Sequence, residues 1–185
     1  MKKLYARKMT LLSVIAVLLA VYIVQLVSSG RTNVKVFSVA ENVDRIIVKN
    51  NGKILYVAKE GDGWFAGALR KPCQLNRVNG LLKSASEVKV LGNVGSFSDA
   101  DAERYGLANP IVVELYSGEK TVRVLEVGKN TATGSQCYAK IDGKQAVWLV
   151  QGALKSTYEV SEDEIVEKPS EKESDAEKKP ELETL

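Results

Sequence analysis

From Met9 to Val27 the chain runs nineteen residues without a charge, directly after Lys2, Lys3, Arg7 and Lys8. A helix of that length measures about 28 Å, close to the ~30 Å hydrocarbon thickness of a bilayer. The basic residues stand only on the amino-terminal side, and the positive-inside rule keeps that side in the cytoplasm. The segment therefore predicts a cytoplasmic basic end over 1–8, a transmembrane signal anchor over 9–28 and an extracytoplasmic remainder, crossing the cell membrane once. A cleaved secretory signal is the alternative. Signal h-regions run ~7–15 residues, and Val27/Ser29 or Ser28/Gly30 offer passable small-residue cleavage pairs. Length favours the uncleaved anchor.

Beyond residue 30 and ahead of a polar tail there remain about 130 residues, enough for one cored domain and too few for two. The formal charge of +3 is unevenly spread. The first ten residues carry +4, residues 161–185 carry −6 from ten acids against four lysines, and the body carries +5. No basic stripe interleaved with aromatics stands in the body, so nucleic acid is not an expected partner. Residues 161–185 lack aromatics, cannot bury enough apolar surface to offset their conformational entropy, and read as a disordered acidic tail.

The body, 31–158, reads as α+β. Val34–Val39 and Val43–Asn50 are strand-like, and Asn51-Gly52 joins the latter to Lys53–Lys59 as a hairpin, since both turn residues accept positive φ. Trp64-Phe65 opens a further short strand. After Pro72 the period changes: Leu75, Val78, Leu81, Leu82, Ala85 and Val88 lie at helical spacing over Gln74–Val88, with Gly80 as a weak point. A meander follows through Ile111–Tyr116, Thr121–Val127, Gln136–Ile141 and Gln145–Val150, with tight turns at Ser117-Gly118 and Asp142-Gly143. A mainly antiparallel sheet covered by one main helix, behind an N-terminal transmembrane helix, is the predicted architecture.

Ser98-Asp99-Ala100-Asp101 has the form of a capping box, and Gly106 stands where a left-handed C′ residue would end the helix at Tyr105. Leu107 closes on that turn and Pro110 prevents resumption. Asp99, Asp101 and Glu103 thus have a helix-terminal explanation, with no base, metal ligand or nucleophile beside them. Histidine is absent, and the two cysteines, Cys73 and Cys137, have 63 residues between them. They either pair, a bridge worth up to ~4 kcal/mol, or remain buried free thiols. Two cysteines without histidine are poor zinc ligands. No catalytic residue, cofactor or metal is expected.

Trp64, Pro72, the helix with Leu81-Leu82, Tyr105-Gly106-Leu107-Ala108-Asn109-Pro110, Val127-Gly128, Tyr138 and Val147-Trp148-Leu149-Val150 occur in an order with a known counterpart. Over about Phe37 to Leu154 the chain resembles the bacterial family catalogued as domain of unknown function 4340. It departs in having Leu75-Asn76 where members often have an Ala-Asp pair, and in carrying a single copy of the unit. The resemblance implies association with auxiliary components of gliding-motility-type ABC transporters and no established catalytic residues. Tyr105, Gly106, Leu107, Pro110, Gly128 and Tyr138 read as structural, and Trp64 as core or as an exposed partner contact.

A membrane-anchored extracytoplasmic accessory protein is the leading functional expectation, touching the bilayer and an integral-membrane partner such as an ABC transporter component. An envelope glycan- or lipid-binding domain is the alternative, favoured if Tyr116, Tyr138 and Trp148 share an exposed sheet face. With no histidine, a hydrolase would need Ser/Lys, cysteine-only or paired-acid chemistry, with Ser135 and Lys129 beside the 131–134 loop as candidates.

Overall fold

The computed structural model describes the backbone of residues 2–29 and 34–167, and the side chains of 12–25 and 34–167. Contacts divide the chain into two units, Met1–Lys35 and Val36–Leu185. The first contains helix α1, Lys2–Ser29, whose described side chains are all exposed. Among the described residues no helix is long and apolar enough to cross a membrane. This overturns the expected transmembrane signal anchor, and with it the single-pass cell-membrane localisation.

The second unit is built on one ten-stranded sheet in the order β1-β6-β10-β9-β8-β7-β2-β3-β4-β5. The strands are β1 (Lys35–Ser38), β2 (Arg45–Asn50), β3 (Lys53–Glu60), β4 (Gly63–Ala66), β5 (Lys71–Pro72), β6 (Glu87–Ser96), β7 (Ile111–Ser117), β8 (Lys120–Asn130), β9 (Gln136–Ile141) and β10 (Ala146–Gln151). Two runs of sequential neighbours, β2 to β5 and β7 to β10, are joined by the antiparallel β2–β7 pair. Asn51 and Gly52 take φ of 46° and 80°, and Asp142 and Gly143 take 55° and 67°, the double positive φ of type I′ hairpins.

Period-2 alternation buries one face. Ile111, Val113 and Leu115 of β7, Leu125 and Val127 of β8, and Cys137, Ala139 and Ile141 of β9 all belong to the main core. The expected cover of one main helix is corrected here. Helix α2 (Leu75–Ser86) supplies Val78, Leu81 and Ala85, α4 (Leu154–Tyr158) supplies Leu154 and Tyr158, and α5 (Glu162–Ile165) supplies Ile165. The buried Tyr158 hydroxyl donates to the Leu81 carbonyl at 3.0 Å, tying α4 to α2. Each helix is short and covers only part of a wide sheet, so the sheet dominates the fold.

Two segments depart from their sequence reading. The helix predicted to Val88 stops at Ser86, and β6 begins at once, with Val88 and Val90 buried against exposed Glu87 and Lys89. Residues 161–167, at the start of the expected acidic tail, form α5 and a bridge from Val166 to Cys73. The Glu164 carboxylate accepts both the Ser161 N–H at 2.8 Å and its hydroxyl at 3.1 Å, a capping arrangement at the start of α5. The rest of that tail, 168–185, lies outside the described residues.

Candidate functional site

The Tyr-Gly-Leu turn and Gly128 meet in space. A short 3₁₀ turn, Asp99–Asp101, leads into α3 (Ala102–Tyr105). Gly106 ends α3 at φ 69°, its N–H donating to the Glu103 carbonyl at 3.1 Å, while the Leu107 N–H closes on the Ala102 carbonyl at 2.7 Å. This is a Schellman-type exit, which glycine enters without a Cβ penalty. The turn then seats on β8, backbone against backbone. A Cβ on Gly106 would stand 2.6 Å from the Lys129 nitrogen, and one on Gly128 only 2.2 Å from the Tyr105 carbonyl oxygen. Behind the contact Tyr105 stacks obliquely on Tyr138 with ring centroids 5.0 Å apart. Tyr105, Leu107 and Val147 form a second small core, on the face opposite the helices.

Beside this contact runs a groove of about 350 Å³. Glu103, Gly106, Ala108, Asn109 and Ile111 form one wall, Val127, Gly128 and Lys129 another, and Asn50, Asn51, Lys155 and Glu159 complete it. Its polar groups are amides and opposed charges. Lys155 and Glu159, one turn apart on and after α4, stand 3.7 Å from each other. An amide-rich wall offers donors and acceptors suited to a peptide backbone or polar side chains.

Reactive arrangements are missing from the places where the sequence suggested them. Asp101 accepts the Ser98 hydroxyl at 2.7 Å, which replaces the predicted capping box, and lies 4.0 Å from Arg104. The Ser135 hydroxyl lies 3.2 Å from that of Thr133, and no hydrogen bond or ion pair among the described residues links it to Lys129. Among the described residues no group of three or more His, Cys, Asp or Glu side chains could hold a metal ion. Cys73 and Cys137 are both free and buried. Burial pushes the Cys137 thiol up to about 11. Burial also raises Cys73, helped by the carboxylates of Glu162 and Glu167. On the open face, burial raises the Glu114 carboxyl, but hydrogen bonds from Lys49 and Tyr116 outweigh it and leave the group lowered.

Trp64 is 7 % exposed and packs in the main core, on the buried side of β4. Pro110 lies between Asn109 and Ile111, which both line the groove, and directly precedes β7. Tyr116, Tyr138 and Trp148 do not share one face. Trp148 packs against the main core, Tyr138 lies under Tyr105, and Tyr116 carries Arg45 at 4.6 Å above its ring. The aromatic platform that would favour glycan binding is therefore not assembled. Asn50, Asn51, Lys155 and Glu159 escaped the sequence reading. Asn51 carries a turn signal that hides any other role, and Lys155 and Glu159 have a helical i,i+4 spacing only once α4 is known.

Comparison with known families matches residues 64–176 to the family described as Domain of unknown function (DUF4340). No curated protein and no solved structure matches the chain.

Proposed function

Starting from the premise that this chain belongs to the DUF4340 family, we propose that it is a non-catalytic docking module which binds a protein partner through the groove beside Gly106 and Gly128. One observation carries the reading. The motif residues Tyr105, Gly106, Leu107, Gly128 and Tyr138 converge on a single contact that fixes one wall of that groove. Positioning a wall by backbone contact gives a rigid recognition surface, and the surface carries amides and paired charges rather than a nucleophile beside a base. The resemblance names the partner class to try first, components of gliding-motility-type ABC transporters, which makes the protein an accessory subunit of such an assembly.

Site-specific photo-crosslinking tests this. Full-length protein with a photoreactive side chain at Asn109 should form a discrete adduct with a transporter component, and Lys129→Glu should abolish it. Adducts of equal yield from Asn109 and from Lys59, on strand β3 away from the groove, would sink the proposal.

A further inference from the structure

Arg123 is the one buried charged residue among those described, at 4 % exposure, on the core side of β8. Its guanidinium is incompletely satisfied. One terminal nitrogen donates to the Phe37 carbonyl at 3.3 Å, and Nε lies 3.6 Å from Asp142 without forming a hydrogen bond. Nε and the other terminal nitrogen have no acceptor, and neither does the indole N–H of Trp148. All of these groups lie around one residue, since the Phe37 ring packs on Trp148 at 5.5 Å. Phe37 lies in β1, from which the chain leads into β2. Val39 N–H bonds to the Ser86 carbonyl at 2.9 Å, Glu41 pairs with Lys120 at 3.0 Å on the surface, and Asp44 N–H bonds to the Tyr116 carbonyl at 2.9 Å. The Lys144 ammonium stands 5.5 Å over the Phe37 ring.

We propose that residues 36–43 are a strap that opens from the folded sheet as a unit, and that buried Arg123 sets how readily it does so. Closed, the strap seals away from water a guanidinium with two nitrogens that make no hydrogen bond and only a 3.6 Å ion pair to Asp142, which penalises the closed state. Open, it returns those donors to solvent at the loss of the Phe37–Trp148 contact and a few hydrogen bonds. The strap begins with Val36–Ser38 of the short edge strand β1, so few ladder bonds resist opening. Asp44 and its bonds to Tyr116 and Gly118 form the fixed hinge end. This is independent of the groove reading.

Native-state hydrogen exchange on the full chain decides it. The Val39 amide should exchange at least tenfold faster than the amides of Val48 and Val113, with little dependence on low urea. Arg123→Met, which keeps volume and removes the buried charge, should slow Val39 exchange at least fivefold. Glu41→Gln, a surface change that cannot prevent folding, should speed it about threefold and leave Val113 unaltered. Val39 exchanging in step with Val48 and Val113, Arg123→Met accelerating it, or Glu41→Gln leaving it unchanged would each overturn the proposal.

Discussion

Gly128 and Gly80 both lack a left-handed φ, yet adding a methyl group should have opposite effects at the two positions. At Gly128 the new Cβ would lie 2.2 Å from the Tyr105 carbonyl oxygen, a backbone atom that cannot rotate away. Gly128→Ala should therefore cost about 3 kcal/mol by forcing the turn off β8. Gly80 lies inside α2 with nothing within 4 Å of the same position. Gly80→Ala should stabilise the fold by about 0.8 kcal/mol through helix propensity alone. Urea unfolding of both variants reads the two signs. The sequence made Gly106 legible, because a glycine between a helix and a proline announces a left-handed cap. Gly128 was legible only as a strand end, whereas β8 runs on through it to Asn130. Its actual demand comes from a carbonyl brought against it by α3, which no local pattern records.

Cys137 adds a pH dependence at the same scale. Its thiol rises from an ordinary 9.0 to about 11 in the folded chain because it is buried. A raised folded-state value means that the fold holds the proton more tightly than the unfolded chain does. The contribution, about 3 kcal/mol, is complete below about pH 8.5 and is lost as pH climbs towards 11. Tyr158, raised by burial and by Cys137, adds to the loss at still higher pH. Stability measured from pH 7 to 11 should fall, and Cys137→Ala should flatten the fall.

Among the elements, α5 and the residues up to Glu167 form a packed segment where the composition suggested a solvated one. Ile165 is fully buried, its carbonyl accepts the Gln74 N–H at 2.8 Å, and the Glu167 N–H donates to the Pro72 carbonyl at 2.9 Å. Ile165→Ala should cost about 3 kcal/mol, whereas a substitution in a solvated tail would cost almost nothing. The same segment covers Cys73, on whose backbone Val166 forms its bridge. A thiol reagent under native conditions should thus label Cys73 before Cys137, which lies mid-sheet on β9, and Ile165→Ala should widen that gap. Mass spectrometry of the labelled chain checks both statements. Acidic residues drew the sequence reading of 161–167 towards solvent, yet a single isoleucine in a capped turn is enough to anchor it. For β6, the alternation of Glu87, Val88, Lys89 and Val90 was present, but it followed a helical period without a break and was absorbed into it.

For the molecule as a whole, the hairpins were readable and the closure of the sheet was not. Asn51-Gly52, Ser117-Gly118 and Asp142-Gly143 each report a local turn, so β2–β3, β7–β8 and β9–β10 follow from the chain. The pairs β2–β7 and β6–β10, which join distant segments into ten strands, depend on which faces are buried together. The same limit applies to the candidate site. Of the family-marking residues named from the motif, Gly106 and Gly128 line the groove, which also draws Asn50, Asn51, Lys155 and Glu159 from β2, its turn, α4 and the residue after it. Docking through this groove is the central claim, and equilibrium binding of purified gliding-motility-type ABC transporter components to the full-length chain measures it most directly. Binding should weaken at least tenfold with Lys129→Glu and stay unchanged with Lys59→Glu. No binding, or equal weakening by both substitutions, would contradict it.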